Sequence, residues 1–170
     1  GPDGAGRRLM RRPGDELPLS GRLVALDLGR VRVGVAVSDP DQVVAAPADT
    51  VDVADLDRGE AMDVPALAAR LAEVAVAADA AGVVVGAPLA LDGTEGEAAQ
   101  EARAVADAIR TRTGLPVRLV DERFTTTEAE RVLIAADVSR AGRRRVVDRV
   151  AAGVLLEGVL AAHAHRRGAA

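Results

Sequence analysis

Three stretches of this sequence place carboxylates where carboxylates are costly. Asp27 closes the apolar run Leu23-Val24-Ala25-Leu26 and is followed by Leu28-Gly29. A carboxylate in a sheet core loses its hydration, so it must be paired, hydrogen-bonded, metal-bound or at the strand's end. Asp121-Glu122 closes a second run, Pro116-Val117-Arg118-Leu119-Val120, and leads into Arg123-Phe124-Thr125-Thr126. Neighbouring strand residues point to opposite faces, so only one of these two acids shares a face with Asp27, and spacing alone does not say which. Asp148 is the single acid of Arg140-Ala141-Gly142-Arg143-Arg144-Arg145-Val146-Val147-Asp148-Arg149, which holds five arginines in ten residues.

Each stretch also has a plain structural reading. Asp27 suits a turn that caps Gly29, Asp121-Glu122 suits a polar strand end, and Asp148 suits an ion pair with Arg144 or Arg145. The arginines are less easily explained as a solvated helix start, because cations at a helix N-terminus oppose the macrodipole. An anion should compensate them. Guanidinium is planar, permanently charged and able to bind phosphate in a bidentate fork. Arg143, Arg144 and Arg145 are therefore candidate nucleic-acid contacts.

Taken together, three carboxylates end two strands and open one helix beside an arginine cluster. Such a trio can hold one or two divalent cations, and a bound cation also explains how like charges coexist. The chemistry this suggests is metal-assisted hydrolysis of a phosphodiester. With no cysteine and both histidines, His163 and His165, near the chain end, Mg²⁺ or Mn²⁺ suits the donors better than zinc.

The elements that must position these groups follow from periodicity. Leu23–Leu28 reads as a strand, Gly29-Arg30 as a turn, and Val31, Val33, Val35 and Val37 alternate as a second strand. Gln42–Thr50 reads as a third strand, broken by Pro47 and therefore at an edge. Asp63 and Pro65 open a helix with stripe Leu67, Leu71, Val74 and Ala78. Val83-Val84-Val85 is a buried strand. The loop Pro88–Gly96 then occupies the usual ligand-loop position of an α/β fold, without the glycine spacing of a nucleotide fingerprint. A helix with stripe Ala98, Ala102, Val105 and Ile109 follows, and Gly114 and Pro116 end it. After the strand 116–122, Thr125 and Glu128 cap a helix with stripe Ala129, Val132, Leu133 and Ala136. A last helix runs from about Arg143 to Ala162. The order β-β-β-α-β-α-β-α-α predicts an α/β fold, a five-stranded mixed sheet flanked by helices, with the first and fourth strands near neighbours. Residues 1–20 read as a disordered tail, 21–162 as one domain and 163–170 as a second tail that holds both histidines exposed.

Composition narrows the function. The chain has 170 residues, 22 basic and 26 acidic, with a formal net charge of −4. That length suits one domain with a sizeable core. Every basic residue is arginine, which removes lysine Schiff-base chemistry and the P-loop lysine. The one aromatic residue, Phe124, is read as a core anchor, so binding by aromatic stacking is nearly unavailable. No apolar run reaches the roughly 18 residues of a membrane span. No secretory h-region follows the first arginines. The expectation is a cytoplasmic protein without membrane contact.

Four motifs in order carry a family resemblance. They are Asp27-Leu28-Gly29-Arg30-Val31-Arg32-Val33-Gly34-Val35-Ala36-Val37-Ser38-Asp39; Val85-Gly86-Ala87-Pro88-Leu89 with Asp92-Gly93-Thr94-Glu95-Gly96; Asp121-Glu122-Arg123-Phe124-Thr125-Thr126; and Arg145–Ala152. Together they resemble the YqgF/RuvX family across roughly residues 22–160. The resemblance implies an RNase H-like fold related to RuvC-type Holliday junction resolvases, and a nuclease that processes the 5′ end of precursor 16S ribosomal RNA. It implies that Asp27, Glu122 and Asp148 are the metal-binding, catalytic acids, with Arg30, Arg32 and Arg123 near the active face. Nucleases of this superfamily often carry an acid at the end of the fourth strand, where this chain reads Gly86-Ala87-Pro88; Glu122 takes that role from the next strand. In the following loop Ala90 replaces a longer polar residue.

Two further functions are compatible with these residues. One is a Holliday junction resolvase, which should act as a homodimer because a four-way junction is two-fold symmetric. The other is a non-catalytic nucleic-acid-binding factor in ribosome assembly. An actin-like kinase, suggested by Asp27-Leu28-Gly29, needs two lobes of this fold where the chain supplies one.

Overall fold

The computed structural model describes residues 16–87, 96–121 and 140–169, with the backbone alone for 140–149 and 169. Strands β1 (Leu23–Asp27) and β2 (Arg32–Ser38) form the expected antiparallel hairpin, in which Leu26 faces Val35 and Asp27 faces Gly34. Glycine is required in the connection, because a Cβ on Gly29 would sit 2.5 Å from the Arg32 carbonyl oxygen.

The third predicted strand is shorter and divided. Strand β3 (Ala45–Pro47) pairs with β2, and the two-residue β4 (Val51–Asp52) pairs with the start of β2. The division begins at Gln42, whose φ of 57° places it in the left-handed region. Asp39 holds this turn by accepting the Val43 and Val44 N–H groups on one carboxylate oxygen, both at 2.8 Å. These bonds pull the Asp39 carboxyl below its ordinary pKa. Pro47 stands on the outermost strand of the path, where a missing N–H does no harm.

Helix α1 (Val64–Ala77) starts at Asp63, whose side chain accepts the Ala66 N–H at 3.2 Å. It buries Leu67 and Leu71 as predicted, and Ala68, Ala72 and Ala75 beside them. Strand β5 (Gly82–Ala87) is buried throughout. Helix α2 (Glu97–Thr113) ends at Gly114, whose φ of +73° makes the left-handed cap that glycine permits. It buries Ala99, Ala102, Val105 and Ile109, whereas Ala98, placed in the stripe by sequence, is exposed. Strand β6 (Val117–Asp121) follows. The helix expected after Thr125 lies outside the described residues.

The sheet order is β3-β2-β1-β5-β6, with β4 added beside β2. Strands β1, β5 and β6 are parallel, so their C-terminal ends share one edge. Each face has its own core. Val24, Leu26, Val33, Val35, Val83, Val85, Val117 and Leu119 pack with α1 and α2. Leu23, Ala25, Ala36 and Val84 pack against Ala152, Leu155, Leu156, Val159 and Leu160 of the long helix α3 (Arg140–Ala169). A buried valine or leucine contributes roughly 1.5–3 kcal/mol, so the two-sided burial of β1 and β5 fixes the register that brings their ends together.

Among the described residues, 16–20 and 163–169 depart from the predicted tails. Helix α3 continues through Ala169. His163 is 1 % exposed, and its Nδ1 meets Gln42 Oε1 at 2.7 Å. Gln42 Nε2 donates to the Pro18 and Gly21 carbonyls, each at 3.0 Å, and Arg167 donates to the Leu19 carbonyl at 2.7 Å. Leu17 is buried against the same face. The segment from residue 16 onward is therefore clasped to the far end of α3.

Candidate active site

The shared C-terminal edge of the parallel strands positions the site. Asp27 ends the central strand and is half-buried. Leu23 and Ala25 contribute to the α3-side core, and strand alternation places Asp27 on that same side. Its two lateral register partners are Gly34 on β2 and Gly86 on β5. Neither neighbour projects a side chain beside the carboxylate.

Of the second acid pair, Asp121 alone is described. Val117 and Leu119 belong to the core against α1 and α2, whereas Val120 packs against the α3-side core. Asp121 therefore continues the α1–α2 side, opposite Asp27. Glu122 and Arg123 lie outside the described residues.

Helix α3 runs antiparallel to β1: its C-terminal end meets Gln42 beside the start of β1, and its N-terminal half lies toward the strand ends. Position 148 precedes the buried Ala152 by four residues, one helical turn nearer that edge. Positions 143, 144 and 145 fall in the first turns of a helix whose first turn contains no acid. Of these four residues the backbone alone is described.

The predicted arginines divide. Arg32 opens β2, and alternation from Ala36 puts it on the α3 side with Asp27. Arg30 turns the other way. Its Nε and Nη2 form a fork on the Asp57 carboxylate, with Nε to Oδ2 at 3.0 Å, and Nη2 also donates to the Gly59 carbonyl at 3.0 Å. The Arg30 guanidinium holds the Asp57 carboxyl below its ordinary pKa, the Gly59 N–H adds to this, and Asp57 raises the Arg30 pKa in turn. Sequence reasoning missed Asp57, because a partner 27 residues away leaves no local signal. Arg30 also borders a cleft of about 180 Å³ between the ends of β1 and β5 and the first turns of α2.

Among the described residues no three acidic or histidine side chains group closely enough to hold a metal ion; only one of the three predicted acids, Asp27, has a described side chain. His163, buried on Gln42 at the opposite end of the sheet, is no part of this edge. Among the described residues no helix is long and apolar enough to cross a membrane.

A mixed sheet with a central acid-ended strand and helices on both faces is the architecture of an RNase H-like fold. The chain superposes on Thermus thermophilus RuvC, solved with a Holliday junction substrate, with a TM-score of 0.51 and 17 % identity, covering 84 % of this chain and 95 % of that one. It superposes on the yeast mitochondrial Holliday junction resolvase with a TM-score of 0.52 and 10 % identity, covering 98 % and 88 %. These likenesses establish the fold. The chain belongs to the RuvX family, whose model, described as Holliday junction resolvase, matches residues 21–162. A Rhodopseudomonas palustris relative is 44 % identical over 143 residues, spanning 84 % of each chain. A Rhodococcus opacus relative is 42 % identical over 150 residues, spanning 88 % of this chain and 82 % of its own. Both carry the name "Putative pre-16S rRNA nuclease".

Proposed function

We propose that this chain is a metal-dependent endonuclease that hydrolyses phosphodiester bonds in structured nucleic acid, acting in the cytoplasm on the 5′ end of pre-16S rRNA. The observation that carries the reading is the place of Asp27, at the end of the central strand and flanked in register by two glycines. Parallel pairing brings the end of β6 to the same edge, and α3 runs back toward it.

Asp27, Glu122 and Asp148 would hold Mg²⁺ or Mn²⁺. The donor set fits such an ion, since carboxylate oxygens are hard ligands and both register neighbours of Asp27 are glycines. When bound, the ion supplies an activated water and offsets charge on the leaving oxygen. The chain's own residues do the rest. Arg32, Arg123, Arg143, Arg144 and Arg145 neutralise backbone phosphates and fix the strand across the edge. Asp27, fixed by the two-sided core of β1, sets the position at which the scissile phosphate must lie.

The family description and the two resolvase superpositions favour a second reading, cleavage of a Holliday junction by a homodimer. Side-by-side assays on pre-16S RNA and a four-way DNA junction, with wild type and Asp27→Asn, separate the readings. Cleavage of RNA alone by a monomer supports rRNA processing; junction cleavage by a dimer in light scattering supports the resolvase. Binding without cleavage of either would leave only a nucleic-acid-binding assembly factor.

A further inference from the structure

The cleft beside Arg30 lies at the same sheet edge as Asp27 and on the opposite face. Its floor includes Gly86, the register partner of Asp27. Its walls are mainly apolar, formed by Leu28, Met62, Leu67 and Ala98. Two charged groups border it, Arg30 and Glu101. At about 180 Å³ it is smaller than the roughly 300–1,000 Å³ of pockets that enclose a drug-sized ligand. It suits one flat ring.

Arg30 is unusual in how firmly it is held for a side chain that is 46 % exposed. Asp57 takes two of its donors in a fork, and the Gly59 carbonyl takes a third bond. Asp57 is held in turn by the Gly59 N–H at 2.9 Å. This arrangement fixes the plane of the guanidinium. Bases stack on arginine planes as they do on aromatic rings, and this chain has one aromatic residue in total. Glu101 accepts the Met62 N–H through Oε1 at 3.1 Å, which steadies its carboxylate at the cleft. A carboxylate there can accept a base amino group.

We propose that the cleft is a subsite for one unstacked nucleobase of the substrate, with the Arg30 guanidinium as its stacking plate, Asp57 as the residue that holds the plate, and Glu101 as acceptor for a base amino group. This rests on the nucleic-acid reading above and adds a requirement to it: the substrate carries an unpaired or extrudable base next to the bond that is cut.

The test uses the full chain with pre-16S leader RNA and a four-way junction, each carrying 2-aminopurine at successive positions around the cleavage or branch point. One position should gain fluorescence on binding wild type. An abasic residue at that position keeps the phosphate and removes the base; it should weaken wild-type binding about tenfold, within the range of base-stacking effects. Ala98→Leu fills the cleft from an exposed position and should bind the intact and abasic probes equally. Asp57→Asn should show the same indifference with its circular dichroism unchanged. A uniform response to 2-aminopurine at every position would overturn the subsite, as would an abasic penalty that survives in Ala98→Leu. An abasic penalty of zero in wild type would reduce Arg30 to a phosphate contact. Cleavage without a base signal sinks this inference alone, and a base signal without cleavage sinks the nuclease reading alone.

Discussion

Asp27 and Asp121 end parallel strands separated only by β5, yet they lie on opposite faces of the sheet. The proposed partner of Asp27 in the chemistry is accordingly Glu122 rather than Asp121. Glu122→Gln should abolish cleavage, lowering kcat by 100-fold or more, while Asp121→Asn keeps activity within a few-fold. Single-turnover rates on the same substrate decide it, and equal losses in both variants would remove the facial assignment.

Asp27→Asn should leave the fold intact, because the two side chains have the same shape and the position closes its strand half-buried, and should abolish cleavage in Mg²⁺ or Mn²⁺. Thermal melts and a cleavage assay check the two halves. Retained turnover in the purified variant would remove Asp27 from the chemistry.

Gly86→Ala adds one methyl beside Asp27. The methyl would stand where neither register neighbour of Asp27 now carries a side chain. Activity should drop at least tenfold, and added Mn²⁺ should recover less than half of it, while the melting temperature stays within a few degrees of wild type.

The His163 clasp should make stability depend on pH. Burial pushes the His163 pKa below its ordinary value, and the nearby Arg166, Arg118 and Arg167 charges push it the same way. The folded state thus binds a proton less readily than the unfolded state. Stability from the neutral ring is complete above the unfolded pKa of about 6.5 and is lost as pH falls below it. Urea melts between pH 7 and pH 5 should show wild type weakening more than His163→Gln. Parallel curves for the two proteins would contradict the clasp.

Gly29→Ala places a Cβ 2.5 Å from the Arg32 carbonyl oxygen. The hairpin must open, at a cost of about 1–3 kcal/mol, the usual range for an overpacked site. A chain of this size loses about 2–4 °C in melting temperature per kcal/mol, and calorimetry reads the shift directly.

Strands with a strict period of two, and helices with long apolar stripes, were legible from sequence because each buries a face the pattern declares. The region 42–50 was not, because the fold there depends on one Asp39 carboxylate capturing two backbone N–H groups and on a left-handed Gln42. His163 had a usable signal: Ala152, Leu155, Leu156, Val159 and Leu160 form a buried stripe, and 163 continues it at the next turn. Treating the chain end as frayed concealed it. The place of Asp27 at a strand end was readable, and so was its nearness to the fourth strand. The Arg30–Asp57 fork was not, since it joins residues that only the folded chain brings together.

The clasp at the end of α3 anchors one end of a helix whose middle lies on the sheet. His163 and position 148 are 15 residues apart on one continuous helix, roughly 22 Å at 1.5 Å per residue. A tilt of about 3° at the fixed end would shift position 148 by roughly 1 Å, a displacement sufficient to cost about 100-fold in rate at a catalytic group. Gln42 and Pro18, at the opposite end of the sheet from Asp27, would then act as the setscrews of the far end.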